Sequence, residues 1–263
     1  MLIIGKLTLK ILIGYNSVSN FIISLDFELK WGMIDIDNSN DNILGARDVI
    51  PEILNLFVQY DIRASWATVG MLFCSTKYDF EKYKPSLLPS YNNMALNSYK
   101  EVIGKSEKTD KLHYANTLVE LINKTSGQEV ASHTYSHYYT LEESQVQSEF
   151  ENDIDSAVKI SIDKFNIKPV SIVFPKNQIN NDYLKMLKND FGFTHFRGNP
   201  VGSIYSNGHK PRRFIYRVVR FFDSFINITG YQTSLTKIDD SGLINIPGSR
   251  ILRPFINIKF LNF

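Results

Sequence analysis

Two kinds of apolar run alternate along this chain. Short β-branched or aromatic runs give way to longer stretches whose apolar positions lie three or four apart, the signatures of buried strands and amphipathic helices. Phe21-Ile-Ile-Ser-Leu25, ending at Asp26, reads as a buried strand. Val49, Ile53, Leu54, Leu56, Phe57 and Tyr60 follow at helical spacing, with Pro51 suited to a first helical turn. Arg63 to Val69 is the next strand, stopped by Gly70. Residues 75–110, rich in Lys, Ser, Tyr, Asn and Pro, read as a long excursion or lid-like insertion rather than core. Leu112 to Asn123 is helical, and Glu129 to Ser132 is the strand that delivers His133. Thr140-Leu-Glu-Glu143 has the capping-box pattern and opens a helix running to about Phe165. Val170 to Phe174 is a strand closed by Pro175, Asn181 to Asp190 a helix, Phe193 to Arg197 a strand, and Arg212 to Phe225 a basic, aromatic helix.

Strands alternating with helices predict an α/β fold with a mostly parallel sheet or barrel. No internal repeat and no interior linker divides it, so residues 21–263 read as one domain behind an N-terminal extension, residues 1–20. Lys6 and Lys10 break the apolar start, which reads as non-secretory. No stretch approaches the roughly 20 apolar residues that span a bilayer, so no transmembrane segment is expected and the default compartment is cytoplasmic. The net charge of +2 over 263 residues argues against nucleic acid or an anionic membrane as partner. Cys74 is the sole cysteine, so any metal site must use His and carboxylate ligands.

The chemistry-bearing residues sort to one end of the predicted strands. Asp26 and Glu28, His133 and His137, Lys176 to Gln178, and Arg197 each fall at a strand's C-terminal end, the active-site mouth of parallel α/β barrels. His133 and His137, four apart after a short strand, can turn one way and share a metal of the zinc type. By themselves such pairs arise often by chance. Asp26 and Glu28, two apart on an extended segment, face one side and repel unless a cation lies between them or one is protonated. The bland reading is a solvated strand end with one carboxylate capping a helix. Together the two clusters favour a metal site.

At these residues the chain resembles a known family. Ser24-Leu-Asp-Phe-Glu-Leu-Lys-Trp-Gly32 followed by Ser132-His-Thr-Tyr-Ser-His137 resembles the polysaccharide deacetylases, the NodB-homology or carbohydrate esterase 4 group. Val173-Phe-Pro-Lys-Asn-Gln178 is similar to a third family motif, where Arg is common at the position of Lys176. Phe196-Arg-Gly198 and Ile246 to Pro254 resemble a branch associated with surface-polysaccharide loci. The resemblance implies a distorted (β/α)7 barrel, with C-terminal truncation as one reading. It implies a metal-dependent sugar N-deacetylase, a hydrolase acting on an N-acetylated saccharide, with a divalent metal, zinc first. Glu28, His133 and His137 would hold the metal and Asp26 would be the general base. Lys176 or Arg197 would orient Asp26 or neutralise the site.

Trp31, Trp66 and Tyr135 are candidates for stacking on a sugar face, with core packing preferred for Trp66. His113, His195 and His209 receive no role. The arginines at 212, 213, 217 and 220 read as a solvated helix face. The family's late histidine, which protonates the leaving amine, is unmatched, since no histidine follows His209. Either the chain is a truncated product or another group supplies that proton. Two further readings stand beside the deacetylase: an amidohydrolase acting on a non-sugar C–N bond, and a catalytically silent sugar-binding relative.

Overall fold

A computed structural model describes residues 2–3, 20–35, 40–200, 213–223, 225–226, 228–230 and 233–250. His209 and most of the N-terminal extension lie outside these, as do the end of the Ile246–Pro254 segment and the side chains of Arg212, Arg213 and Arg217.

The chain builds one sheet by βα repetition. Strand β1 (Leu2–Ile3) pairs antiparallel with β2 (Ile23–Phe27). Helix α1 (Asn40–Gln59) leads to β3 (Ala64–Thr68), and α2 (Lys77–Tyr83) and α3 (Asn116–Lys124) lead to β4 (Gln128–Ser132). Helix α4 (Gln147–Phe165) returns to β5 (Ser171–Ile172), and α5 (Asn181–Phe191) to β6 (His195–Gly198). Helix α6 (Arg213–Asp223) and β7 (Lys237–Ile238) precede β8 (Ile244–Pro247). The order is β1-β2-β3-β4-β5-β6-β8-β7, with β2 to β6 and β8 parallel. This is the expected α/β architecture.

Side-chain pairing shows that the sheet curls. In a flat sheet β2 and β6 would stand four strand spacings apart, about 19 Å. Yet Arg197 on β6 places Nη1 2.7 Å from Asp26 Oδ1 on β2. Only a sheet rolled toward a barrel lets those side chains meet across its interior.

Register decides what lies inside. Leu25, Trp66 and Val130 form one cross-strand row and pack outward against the helices, in a cluster with Leu54, Phe57, Val119 and Ile122. Ile172, Phe174 and Phe196 do the same against Phe150, Ile154, Leu184 and Leu187 of α4 and α5. The intervening rows, Ser24–Ser65–Glu129 and Asp26–Ala67–Ala131, face the barrel interior. A one-residue slip would turn Leu25 and Phe27 inward and press Asp26 against helices. With burial of each such apolar side chain stabilising by about 1.5–3 kcal/mol, the register is strongly fixed.

Several expectations are corrected. Helix α1 begins well before Pro51, which sits in its interior rather than its first turn. The buried face is Ile43, Ile50, Leu54 and Phe57, while Val49, Leu56 and Tyr60 are exposed. Thr140 caps nothing: α4 starts at Gln147, and the Thr140 hydroxyl instead donates to the Gln178 carbonyl. The capping box belongs to Thr76 and Asp79 at α2. Residues 75–110 are not a loose lid, because Phe80 and Tyr83 are part of the first core and Tyr91 and Leu96 are buried beside Tyr139. Trp31, Trp66 and Tyr135 are buried, so none offers a face to a sugar. Strands β7 and β8 were not foreseen. No helix among the described residues is long and apolar enough to cross a membrane.

Candidate metal centre

Glu28 follows β2 directly and opens a 3-10 turn, Leu29–Gly32. Its carboxylate folds back over Gly32, where any Cβ would overlap it, so a larger residue here would displace the carboxylate. His133 follows β4, and its backbone N–H donates to the Thr68 carbonyl at 3.0 Å. Thr134 and His137 then take left-handed conformations, φ 63° and 59°. Such non-glycine residues persist only where their surroundings over-determine them.

Here the surroundings do. Asp153 of α4, fully buried, accepts the backbone N–H groups of Tyr135 at 2.6 Å and Ser136 at 3.0 Å, and the Ser136 hydroxyl as well. Gly70 and Met71 donate backbone N–H groups to the Thr134 and Tyr135 carbonyls at 2.8 and 3.0 Å. That approach is so close that a Cβ on Gly70 would lie 2.8 Å from Tyr135 Cα. The Tyr138 N–H donates to Thr134 Oγ1 at 2.7 Å.

The result is a cluster of three donors. One ligand atom each from Glu28, His133 and His137 lies within 4.8 Å of the others. Glu28 Oε2 is 3.0 Å from His137 Nε2 and 3.4 Å from His133 Nε2. Both imidazoles are buried, while the Glu28 side chain keeps 29% exposure, so the cluster is open to solvent through the carboxylate. Burial alone would raise the Glu28 carboxyl, but its interactions with the two imidazoles outweigh it and hold the group well below its ordinary value. Burial pushes His137 down, favouring the neutral ring a metal ligand requires.

These residues fit a divalent metal of the zinc type. His133 Nδ1 lies 2.8 Å from the Val173 carbonyl, which can only accept, so Nδ1 carries the ring hydrogen and Nε2 presents a lone pair. That Nε2 is buried and makes no hydrogen bond among the described residues. Ligands about 2.0–2.1 Å from a tetrahedral zinc stand about 3.3 Å apart, close to the two separations found. Two histidines and one carboxylate are a ligand set that would leave a metal room for water.

Asp26 lies in β2, one residue short of its end, and is not among the three donors. Arg197 grips it from across the barrel, Nη1 to Oδ1 at 2.7 Å and Nη2 to Oδ2 at 3.0 Å, and also reaches Ser24 Oγ and Asn177 Oδ1, each at 3.1 Å. Of the two cations named from sequence, therefore, Arg197 meets Asp26. Lys176 instead pairs with Asp35 at 2.5 Å and lies 4.6 Å above the Tyr139 ring.

Sequence reading missed Tyr139 and Asp153, and gave Asn177 no role of its own. Asp153 carried a signal: a carboxylate among Phe150, Ile154 and Ala157 on the apolar face of a helix needs buried donors. His113 also has partners that went unseen, Asp110 three residues before it at 2.8 Å and Glu101 at 3.4 Å. The Trp31 indole N–H donates to the His113 carbonyl at 2.9 Å. That set lies apart from the three donors.

Residues 37–195 match the family model described as polysaccharide deacetylase. The match contains His133 and His137 and begins after Asp26 and Glu28. No curated protein matches the chain in sequence. Among solved structures the chain is similar to a carbohydrate esterase 4 family pseudoenzyme from Bacillus anthracis, at 14% identity and TM-score 0.38, covering 66% of this chain and 41% of that one. It is similar to a Mycobacterium smegmatis protein assigned as a polysaccharide deacetylase, at 11% identity and TM-score 0.47, covering 86% and 57%. A de-N-acetylase from Aggregatibacter actinomycetemcomitans matches at 18% identity and TM-score 0.39, covering 71% and 65%. The chain thus spans between 41% and 65% of the length of these three relatives.

Proposed function

Since the chain belongs to the polysaccharide deacetylase family, we propose that it is a metal-dependent hydrolase removing N-acetyl groups from a saccharide, in surface-polysaccharide assembly. Glu28, His133 and His137 would hold the metal. A divalent ion there supplies Lewis-acid activation of water and of the amide carbonyl. The carrying observation is the buried, unpartnered Nε2 of His133, aimed at a carboxylate oxygen that a second buried imidazole also reaches.

Asp26 acts as general base. Arg197 holds both of its oxygens, fixing the carboxylate while each oxygen keeps a second lone pair for a proton. Asp26 takes a proton from the attacking water, the new C–O bond forms as the carbonyl becomes tetrahedral, and collapse breaks the C–N bond. The same proton passes to the leaving nitrogen, so a free amine and acetic acid result, and the acid gives its remaining proton to solvent as acetate. This route supplies the leaving-group proton without a late histidine. Lys176, partly exposed, has its charge paired with Asp35 and lies over the Tyr139 ring beside the site.

Metal analysis of wild type beside His133→Ala and His137→Ala, with acetate release from N-acetyl sugars, tests the reading. Wild type should hold one divalent ion and release acetate, and each variant should lose both. Full metal content in the alanine variants refutes the site. Metal without acetate release points to a different C–N bond, and protein that takes up no metal points to a silent relative.

A further inference from the structure

The two histidines of the cluster differ in what stands behind them. His133 Nδ1 faces the Val173 carbonyl at 2.8 Å, which can only accept a hydrogen bond. Its ring hydrogen therefore sits on Nδ1 whatever Nε2 is doing. His137 Nδ1 faces the Tyr139 hydroxyl at 3.0 Å, which can donate or accept. We propose that Tyr139 is a positioning residue that lets the His137 ring hydrogen change nitrogens when Nε2 becomes a ligand, while His133 stands ready in the ligating form. The inference rests on the metal reading above.

For the neutral ring the hydrogen-bond arithmetic leaves two arrangements. His137 Nε2 is 3.0 Å from Glu28 Oε2, and an ionised carboxylate only accepts. While that bond is made, the neutral ring carries its hydrogen on Nε2, and the bare Nδ1 must accept from the Tyr139 O–H. A ligating Nε2 carries no hydrogen, so the ring then holds it on Nδ1, which donates to the Tyr139 oxygen. Between the two, one hydrogen leaves Nε2 and one arrives at Nδ1 by exchange with water, with no net change in protons. A carbonyl behind His137 would forbid the first arrangement and an ammonium the second; a hydroxyl serves both.

Nothing else has to move. The Tyr139 ring is fully buried, edge-on to His137 with centroids 5.0 Å apart and planes at 89°. Tyr91 packs at 5.9 Å and accepts the Tyr139 backbone N–H at 2.9 Å, and the Lys176 ammonium sits 4.6 Å over the ring. Rotation about the Cζ–O bond alone reverses the hydroxyl's role.

Long-range proton–nitrogen spectra of 15N-histidine-labelled full chain, recorded without metal and with zinc alone, read the tautomers directly. His133 should show a protonated Nδ1 in both, and His137 should pass from protonated Nε2 to protonated Nδ1. Tyr139→Phe, which removes donor and acceptor together, should weaken zinc binding about 10–100-fold with the His133 tautomer unchanged. If zinc binds and His137 keeps one tautomer throughout, the proposal is overturned while the metal reading stands. Wild-type zinc affinity in Tyr139→Phe overturns it equally. If zinc alters neither histidine, the metal reading falls and this proposal with it. The wild-type spectra decide the matter even where the Phe variant folds poorly.

Discussion

Replacing Arg197 by methionine probes how the curled sheet is held. The two side chains are 6% and 10% exposed, so the ion pair is buried. The guanidinium makes four hydrogen bonds, two to Asp26 and one each to Ser24 and Asn177. Methionine keeps the hydrocarbon stem and loses all four, leaving the Asp26 carboxylate inside the barrel without its cation. Removing one partner of a buried pair costs about 3–5 kcal/mol, whereas a surface pair is worth about 0–1 kcal/mol. At about 2–4 °C per kcal/mol for a domain of this size, Tm should fall by roughly 6–20 °C. Asp26→Leu combined with Arg197→Met removes the stranded charge and should recover most of that loss. Thermal and urea melts of wild type, both single variants and the double variant close the cycle. A loss below about 1 kcal/mol in Arg197→Met, or no recovery in the double variant, refutes the view that this pair is desolvated and ties β2 to β6. Zinc content should not change in Arg197→Met, because Arg197 is not a donor.

Two other outcomes follow from the same geometry. Gly32→Ala puts a methyl group where the Glu28 carboxylate lies, so zinc affinity should drop at least tenfold with the fold retained; unchanged affinity, measured by competition titration, contradicts the assigned position of Glu28. For Asp153, burial outweighs three hydrogen bonds and pushes the carboxyl up from 3.8 to about 6, so between those values the folded state binds the proton more tightly. Its contribution is complete below pH 3.8 and fades as pH rises through about 6, a loss of about 3 kcal/mol at 1.36 kcal/mol per pKa unit. The stability gap between wild type and Asp153→Asn, from urea melts across that range, should shift by this amount against wild type as pH rises. A flat gap contradicts it.

Much of the candidate site was legible because its residues are local in sequence. The strand pleat puts Asp26 beside Glu28, and the β4 exit puts His133 four residues before His137. Placing Lys176 and Arg197 at strand ends was also within reach of pattern reading, but choosing between them was not. Which cation meets Asp26 depends on how far the sheet curls, a sum over four strand pairings that no local run encodes. Tyr139 and Asp153 escaped for a related reason: their partners are backbone and ring atoms whose positions exist only once the His133–His137 loop is folded against α4 and β3. The supposed lid was misjudged on composition, since Phe80, Tyr83, Tyr91 and Leu96 are few among polar neighbours yet are buried.

The sequence by itself determined the α/β alternation, the inward and outward faces of the strands, and the residue types able to take a metal, because each follows from a period of two, a period of 3.6, or a fixed spacing. Tertiary structure alone decided that three of those residues converge within 4.8 Å, that Arg197 rather than Lys176 holds Asp26, and that a hydroxyl rather than a carbonyl stands behind His137. Those are distances between segments far apart in the chain, and only packing of the helices against a curled sheet sets them.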